Sequence, residues 1–169
     1  MTHGNFYGTQ YMADGEATIF RLTNHQTLIP FAQFVGLNDN PSRDAYPSRL
    51  VEAQDGNFYG VTLFGNFFRL TPDGQKTTIA TLDRNFLFNR LIQGSDGNFY
   101  GTAIGPEPPD PGMVFRLTPQ GELTPLGYFT GGNGSQPNSL IEIEGTFYGT
   151  TLMGGKHNQG TIFKLTIDR

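Results

Sequence analysis

Apolar and polar positions alternate along this chain in short runs, as in Lys76-Thr77-Thr78-Ile79-Ala80-Thr81-Leu82, and no stretch carries the 3.6-residue period of an amphipathic helix. The runs fall into two recurring phrases. One is Gly-Asn-Phe-Tyr-Gly, at 4–8, 56–60 and 97–101, with Gly145-Thr146-Phe147-Tyr148-Gly149 as a variant. The other centres on Phe-Arg-Leu-Thr, at 20–23, 68–71 and 115–118, and becomes Phe163-Lys164-Leu165-Thr166 in its last copy. In the first phrase Phe and Tyr are adjacent, so a strand places them on opposite faces and both faces must be covered.

Each full repeat predicts four strands, a to d in chain order. The b strands carry the first phrase and the c strands the second. The a strands are Arg49–Ala53, Arg90–Gln93 and Ser139–Ile143; the d strands are Gln26–Phe31, Lys76–Leu82 and Glu122–Leu126. Asp55-Gly56 and Asp96-Gly97 stand between a and b, where that dipeptide suits a type I′ hairpin turn. Pro72-Asp73-Gly74 and Pro119-Gln120-Gly121 turn the chain between c and d. The b–c and d–a connections vary in length, so tight turns lie at one end of each sheet and variable loops at the other.

The phenylalanines of the second phrase, Phe20, Phe68, Phe115 and Phe163, are spaced 48, 47 and 48 residues apart. Four-stranded units of this period are the mark of β-propeller blades, which bury their faces only against one another. The expected fold is therefore all-β: a β-propeller of about four antiparallel blades within one repeat domain over 1–169, with units near 3–47, 48–88, 89–137 and 138–169. A β-trefoil is the alternative, against which the four copies of the b and c phrases weigh. The glycine after each Tyr is expected to let a neighbouring blade approach closely. Because b and c occur four times and a and d three, the first and last blades are incomplete. That predicts self-association into a homo-oligomer, or a segment of a longer array.

Composition agrees with a turn-rich β protein: Gly 23, Pro 11 and 15% charged residues. With a net charge of -4 and scattered Lys and Arg, nucleic acid is not an expected partner. No apolar run is long enough to span a bilayer as a helix. Cysteine is absent, so packing alone must hold the core. The first residues, Met1-Thr2-His3-Gly4, lack the basic and apolar regions of a signal peptide.

Leu-Ile, then Asp-Gly-Asn-Phe-Tyr-Gly-Thr, then a Gly-rich loop and Gly-Thr-Ile-Phe-Lys-Leu-Thr, best seen over Leu91–Thr102 and Gly160–Thr166, resembles the Gloeo-Verruco tandem repeat across nearly the whole chain. The resemblance implies bacterial repeat proteins in an extracellular or cell-surface setting, and supplies no active site. A weaker similarity runs to the seven-bladed propeller lyases that inactivate streptogramin antibiotics, which also place Asp-Gly between a and b strands. No histidine falls in a motif that would carry their catalytic residues over.

Residues common to every blade solve blade packing. Arg21, Arg69, Arg116 and Lys164 in the c strands, and Tyr7, Tyr59, Tyr100 and Tyr148 in the b strands, are read that way, each tyrosine hydroxyl needing a partner. Function is expected where the repeat is broken. Asn38, Asp39, Asn40 and Asp44 gather oxygen donors that suit calcium, although their spacing departs from an EF-hand; ordinary loop chemistry explains them equally. No cofactor is otherwise implied. The histidines lack metal-ligand spacing, and no Gly-x-Ser-x-Gly elbow is present. Exposed loop residues Tyr11, Arg43, Asp44, Tyr46, Asn133 and His157 suit sugar stacking and hydrogen bonding. The expected function is a non-catalytic extracellular binding or assembly module that recognises a glycan or a protein through its variable loops. The alternatives are a propeller lyase or glycoside hydrolase with its pocket at the loop end of a central channel, and a structural protein that self-assembles.

Overall fold

The computed structural model describes residues 6–11, 16–23, 27–34, 46–105 and 112–167, and every regular element among them is a strand. The expected fold class holds: the chain is an all-β propeller whose antiparallel sheets are the blades. The chain divides into two compact units, Met1–Leu82 and Asp83–Arg169.

In the first unit, β1 (Phe6–Tyr11), β2 (Ala17–Leu22) and β3 (Leu28–Phe34) form a three-stranded sheet in sequence order. A four-stranded sheet follows: β4 (Val51–Glu52), β5 (Phe58–Val61), β6 (Asn66–Leu70) and β7 (Lys76–Thr81). The expected strand over Arg49–Ala53 is regular only at Val51–Glu52. Ile19 and Phe34 of the first sheet pack against Phe58, Phe68 and Leu70 of the second, with Tyr7 and Phe31 at the margin. Burying such side chains stabilises by about 1.5–3 kcal/mol each.

In the second unit, β8 (Leu87–Gln93), β9 (Phe99–Ile104), β10 (Met113–Leu117) and β11 (Leu123–Tyr128) make a full blade. A three-stranded sheet follows: β12 (Ser135–Ile143), β13 (Thr146–Met153) and β14 (Ile162–Thr166). Leu140, Phe147, Phe163 and Leu165 of the last sheet cover Ile92, Tyr100 and Val114 of the one before it.

Two expectations need correction. The Asp-Gly turns are not type I′, because only Gly56 and Gly97 adopt positive φ, 80° and 84°, while their aspartates do not. The bonds Gly56 N to Ala53 O at 3.0 Å and Ala53 N to Asn57 O at 2.9 Å describe a type I turn closed by a left-handed glycine. Leaving Asp in the right-handed region aims its carboxylate back along the b strand. Two successive positive φ values occur instead at Glu144 and Gly145, 50° and 76°, in the two-residue link between β12 and β13.

The second correction concerns the glycine after each Tyr. Gly60 and Gly101 lie opposite Phe68 and Phe115 of the adjacent strand of the same blade. A Cβ on Gly60 would lie 2.5 Å from Phe68 Cζ, and one on Gly101 would lie 2.7 Å from Phe115 Cζ and 2.9 Å from Leu91 Cδ2. At Gly60, Gly101 and Gly149 the glycine thus seats an aromatic ring from its own sheet, and among the described residues the nearest atoms come from no neighbouring blade.

Candidate functional site

The sequence candidates fall into two loop clusters, one in each unit. In the first unit, Tyr11 ends β1 and Tyr46 lies in the connection leading to β4. Their ring centroids are 5.7 Å apart, and Tyr46 meets Phe64 edge-on at 6.1 Å. The Tyr11 hydroxyl donates to the Pro47 carbonyl at 2.8 Å, while its side chain remains 51% exposed. Burial raises the Tyr11 pKa, so the hydroxyl stays a donor at neutral pH.

Tyr46 itself has φ 60°, a conformation that costs a non-glycine residue of order 1–3 kcal/mol. Its carbonyl accepts from Leu63 N at 3.0 Å, and Pro47 forms a bridge with Thr62. The strained residue is therefore held by the loop that carries Phe64. The result is an aromatic platform, Tyr11–Tyr46–Phe64, with one open tyrosine face and fixed backbone beneath it.

Beside this platform runs a groove of about 700 Å³, lined along one side by β1 residues Phe6 to Thr9 and Tyr11 and along the other by Arg49, Leu50 and Glu52. Its walls mix apolar rings with one cation and one carboxylate.

In the second unit, Asn133 holds a turn. Its Oδ1 accepts from Thr130 N at 2.7 Å, and its Nδ2 donates to Tyr128 O at 3.2 Å. The loop carrying His157 bonds to the same turn through Gly155 N to Gly131 O at 2.8 Å, and Thr161 Oγ1 donates to Asn133 O at 3.3 Å. His157 is exposed beside Lys156. The structure therefore pairs Tyr11 with Tyr46, and brings the Asn133 turn against the His157 loop. Arg43 and Asp44, like the proposed calcium ligands Asn38, Asp39, Asn40 and Asp44, lie outside the described residues. Among the described residues no group of three or more His, Cys, Asp or Glu could hold a metal.

At the opposite end of the blades is an arrangement that sequence reading missed. Asp96 accepts from Asn98 N at 3.1 Å, Asn98 Nδ2 at 2.8 Å and the Tyr100 hydroxyl at 2.8 Å. Asp55 repeats this with Asn57 N at 3.0 Å, Asn57 Nδ2 at 2.9 Å and Tyr59 at 2.9 Å. The tyrosine partner left unspecified by the sequence is thus the turn aspartate four residues earlier. Burial opposes ionisation of both carboxyls, but the Asn and Tyr hydrogen bonds outweigh it and hold their pKa values below the ordinary range, with the Arg69 charge helping at Asp55. Tyr100 is pushed up to about 12 by burial first, then by its bond to Asp96 and that carboxylate's charge.

Across the strand pair, Arg69 faces Tyr59 and Arg116 faces Tyr100. Among the described residues, the Nε atoms of Arg21, Arg69 and Arg116 are buried without a hydrogen-bond partner. Asp96, Tyr100 and Arg116 line a cavity of about 230 Å³ with Glu142 and Phe147. Glu142 in turn accepts from both Ser95 N and Ser95 Oγ at 2.8 Å, tying the β8–β9 turn to β12. The repeated cation thus stands beside the turn tyrosine of its own blade at Arg69 and Arg116.

Residues 47–169 match the model of a family described as the Gloeobacter/Verrucomicrobia repeat. No curated protein matches the sequence. Among solved structures, selenomethionine-substituted virginiamycin B lyase from Staphylococcus aureus is similar at a TM-score of 0.61 and 17% identity, covering 96% of this chain and 55% of the lyase. A catalytically inactive variant of that lyase solved with quinupristin gives a TM-score of 0.58 and 19% identity over 96% of this chain and 55% of the lyase. A protein of unknown function from Bacteroides caccae gives 0.50 and 9% identity over 97% of this chain and 58% of its own length. The chain spans little more than half the length of these neighbours. At such identities the likeness shows the propeller fold and leaves chemistry to the individual residues.

Proposed function

The chain belongs to the Gloeobacter/Verrucomicrobia repeat family, and from that premise we propose that it is a non-catalytic binding module whose aromatic platform takes a glycan. The observation that supports this most is the Tyr11–Tyr46 pair: two tyrosine rings 5.7 Å apart, one half exposed at the end of β1 and the other in the connection to β4, strained into a left-handed conformation. A sugar ring stacks on such a face through its C–H groups, and loops on a rigid sheet scaffold are where repeat proteins place recognition. An extracellular or cell-surface setting is part of the same proposal, carried by the family resemblance.

The test is a panel of neutral and acidic oligosaccharides, with binding followed by the protein's tyrosine fluorescence, since tryptophan is absent. A binding oligosaccharide should lose about tenfold or more in affinity on Tyr46→Ala or Tyr11→Ala, an effect on the scale of 1.4 kcal/mol. No binder in the panel, or a binder indifferent to both substitutions, overturns the reading.

Assembly is a second reading, favoured by one observation. Ile141, Ile143, Leu152 and Ile162 stand exposed on the last sheet, with Ile162 at 84%. A second copy of this chain is the proposed cover.

A further inference from the structure

In three of the four sheets a short a strand lies along the free side of the b strand. Its register is constant: Leu91 stands opposite Gly101, Ile92 opposite Tyr100 and Gln93 opposite Phe99. Leu140, Ile141 and Glu142 stand likewise opposite Gly149, Tyr148 and Phe147, and Val51 and Glu52 opposite Tyr59 and Phe58. In the first sheet β1 is an edge, paired only with β2 among the described residues.

What lies beside that edge is a slot. The groove of about 700 Å³ follows Phe6, Tyr7, Gly8, Thr9 and Tyr11 along β1, and its far wall is Arg49, Leu50 and Glu52. Among the described residues, a Cβ on Gly8 would meet nothing within 4 Å, neither the ring of Phe20 opposite it nor any a-strand atom. A Cβ on Gly101 would meet Leu91 Cδ2 at 2.9 Å, and one on Gly149 would meet the Ser139 carbonyl at 2.5 Å, both on a strands, in addition to the c-strand rings of Phe115 and Phe163. An edge strand bordering a groove presents a row of backbone donors and acceptors, and extended peptides recognise such edges by adding a strand.

We propose that this groove is a strand-acceptor site. It takes an extended peptide from a partner polypeptide whose pattern copies the chain's own a strands: Leu, then Ile or Val, then Gln or Glu. The register inside the other sheets sets the fit. Leu enters opposite Gly8, filling the space that Leu91 fills at Gly101, Ile enters opposite Tyr7, and the polar residue enters opposite Phe6. Backbone bonds to β1 supply attraction, and the glycine gap supplies selectivity for a branched side chain at one position. The slot and the glycan platform share Tyr11, whereas Tyr46 belongs to the platform alone and so separates the two.

The experiment uses the full chain and a capped peptide copying residues 88–95, fluorescently labelled and followed by anisotropy, with amide hydrogen exchange alongside. Saturable binding is expected, together with new exchange protection at residues 6–11. A control peptide with Lys in place of the Leu should bind at least about tenfold more weakly. Gly8→Val should weaken the copy peptide by a similar factor while the melting temperature stays unchanged, and Tyr46→Ala should leave it unaffected. No binding, equal binding of both peptides, or protection confined to other strands overturns the proposal. Should Gly8→Val fail to fold, the position of the exchange protection in the unmodified chain still decides it.

Discussion

A methyl group added at Gly101 would lie 2.7 Å from Phe115 Cζ, while the same methyl at Gly8 would meet nothing within 4 Å among the described residues. One motif position thus has two environments, and substitution should separate them. Gly101→Ala and Gly60→Ala are expected to cost about 1–3 kcal/mol each, the usual penalty for overpacking. Gly8→Ala should change stability by less than about 0.5 kcal/mol. Urea titration of the three variants measures this; a loss at Gly8 equal to that at Gly101 would contradict the packing described. Asn133 belongs to the same scale. Its side chain accepts from Thr130 N and donates to Tyr128 O, so Asn133→Ala should destabilise by about 1–2 kcal/mol, as for a lost turn cap, in a thermal melt without ligand. An unchanged melt would show that the turn holds itself.

At the scale of the element, the repeating device is the Asp-Gly-Asn-Phe-Tyr turn, and its ionisation has opposite consequences at the two ends of the pH range. Asp55 and Asp96 ionise at lower pH in the fold than in the unfolded chain, where Asp titrates at about 3.9. Their stabilisation is complete above about pH 5 and is lost as pH falls through the folded values. Tyr100 runs the other way. Its pKa is pushed up to about 12, so its contribution is intact below the unfolded value of about 10 and is lost as pH rises from there. Asp96→Asn should give a shallower acid limb in melting temperature against pH, and Tyr100→Phe a shallower alkaline one. Acid limbs that run parallel in the original and Asp96→Asn proteins would remove this role from Asp96. The blades themselves were legible in the sequence, because adjacent Phe and Tyr, Gly-closed turns and a near-constant period are local signals. The Asp–Tyr bond was not, since a type I′ turn and a type I turn with a left-handed Gly share the letters Asp-Gly and differ in where they aim the carboxylate. The Tyr11–Tyr46 contact was legible only as two exposed aromatics in variable loops; their meeting depends on loop paths that no local pattern encodes.

At the scale of the molecule, the repeat supplies its own standard for what each blade face requires. In the second unit, Val114 and Tyr100 on the outer face of the β8–β11 sheet are buried under Leu140, Phe147, Phe163 and Leu165 of the next. The same positions on the last sheet are Ile162 and Tyr148, and Ile162 is 84% exposed. In the first unit the position equivalent to Phe147 is Phe6, which is 73% exposed where Phe58, Phe99 and Phe147 are each no more than 2% exposed. One face offers an aromatic knob and the other an aliphatic seat, the two halves of a contact the chain already makes internally. A second copy can join them head to tail, which is a heterologous contact able to close into a ring or extend. Exposed apolar faces of this kind mark interaction surfaces. Sedimentation equilibrium over a concentration series should therefore show mass rising above the 18.6 kDa monomer. Ile162→Lys and Phe6→Lys should each restore the monomer, and should do so without lowering the melting temperature of the dilute protein, since both positions already face water. Equal association by the original and both variants would place the contact elsewhere, and a single species at 18.6 kDa throughout would dispose of self-assembly through these faces.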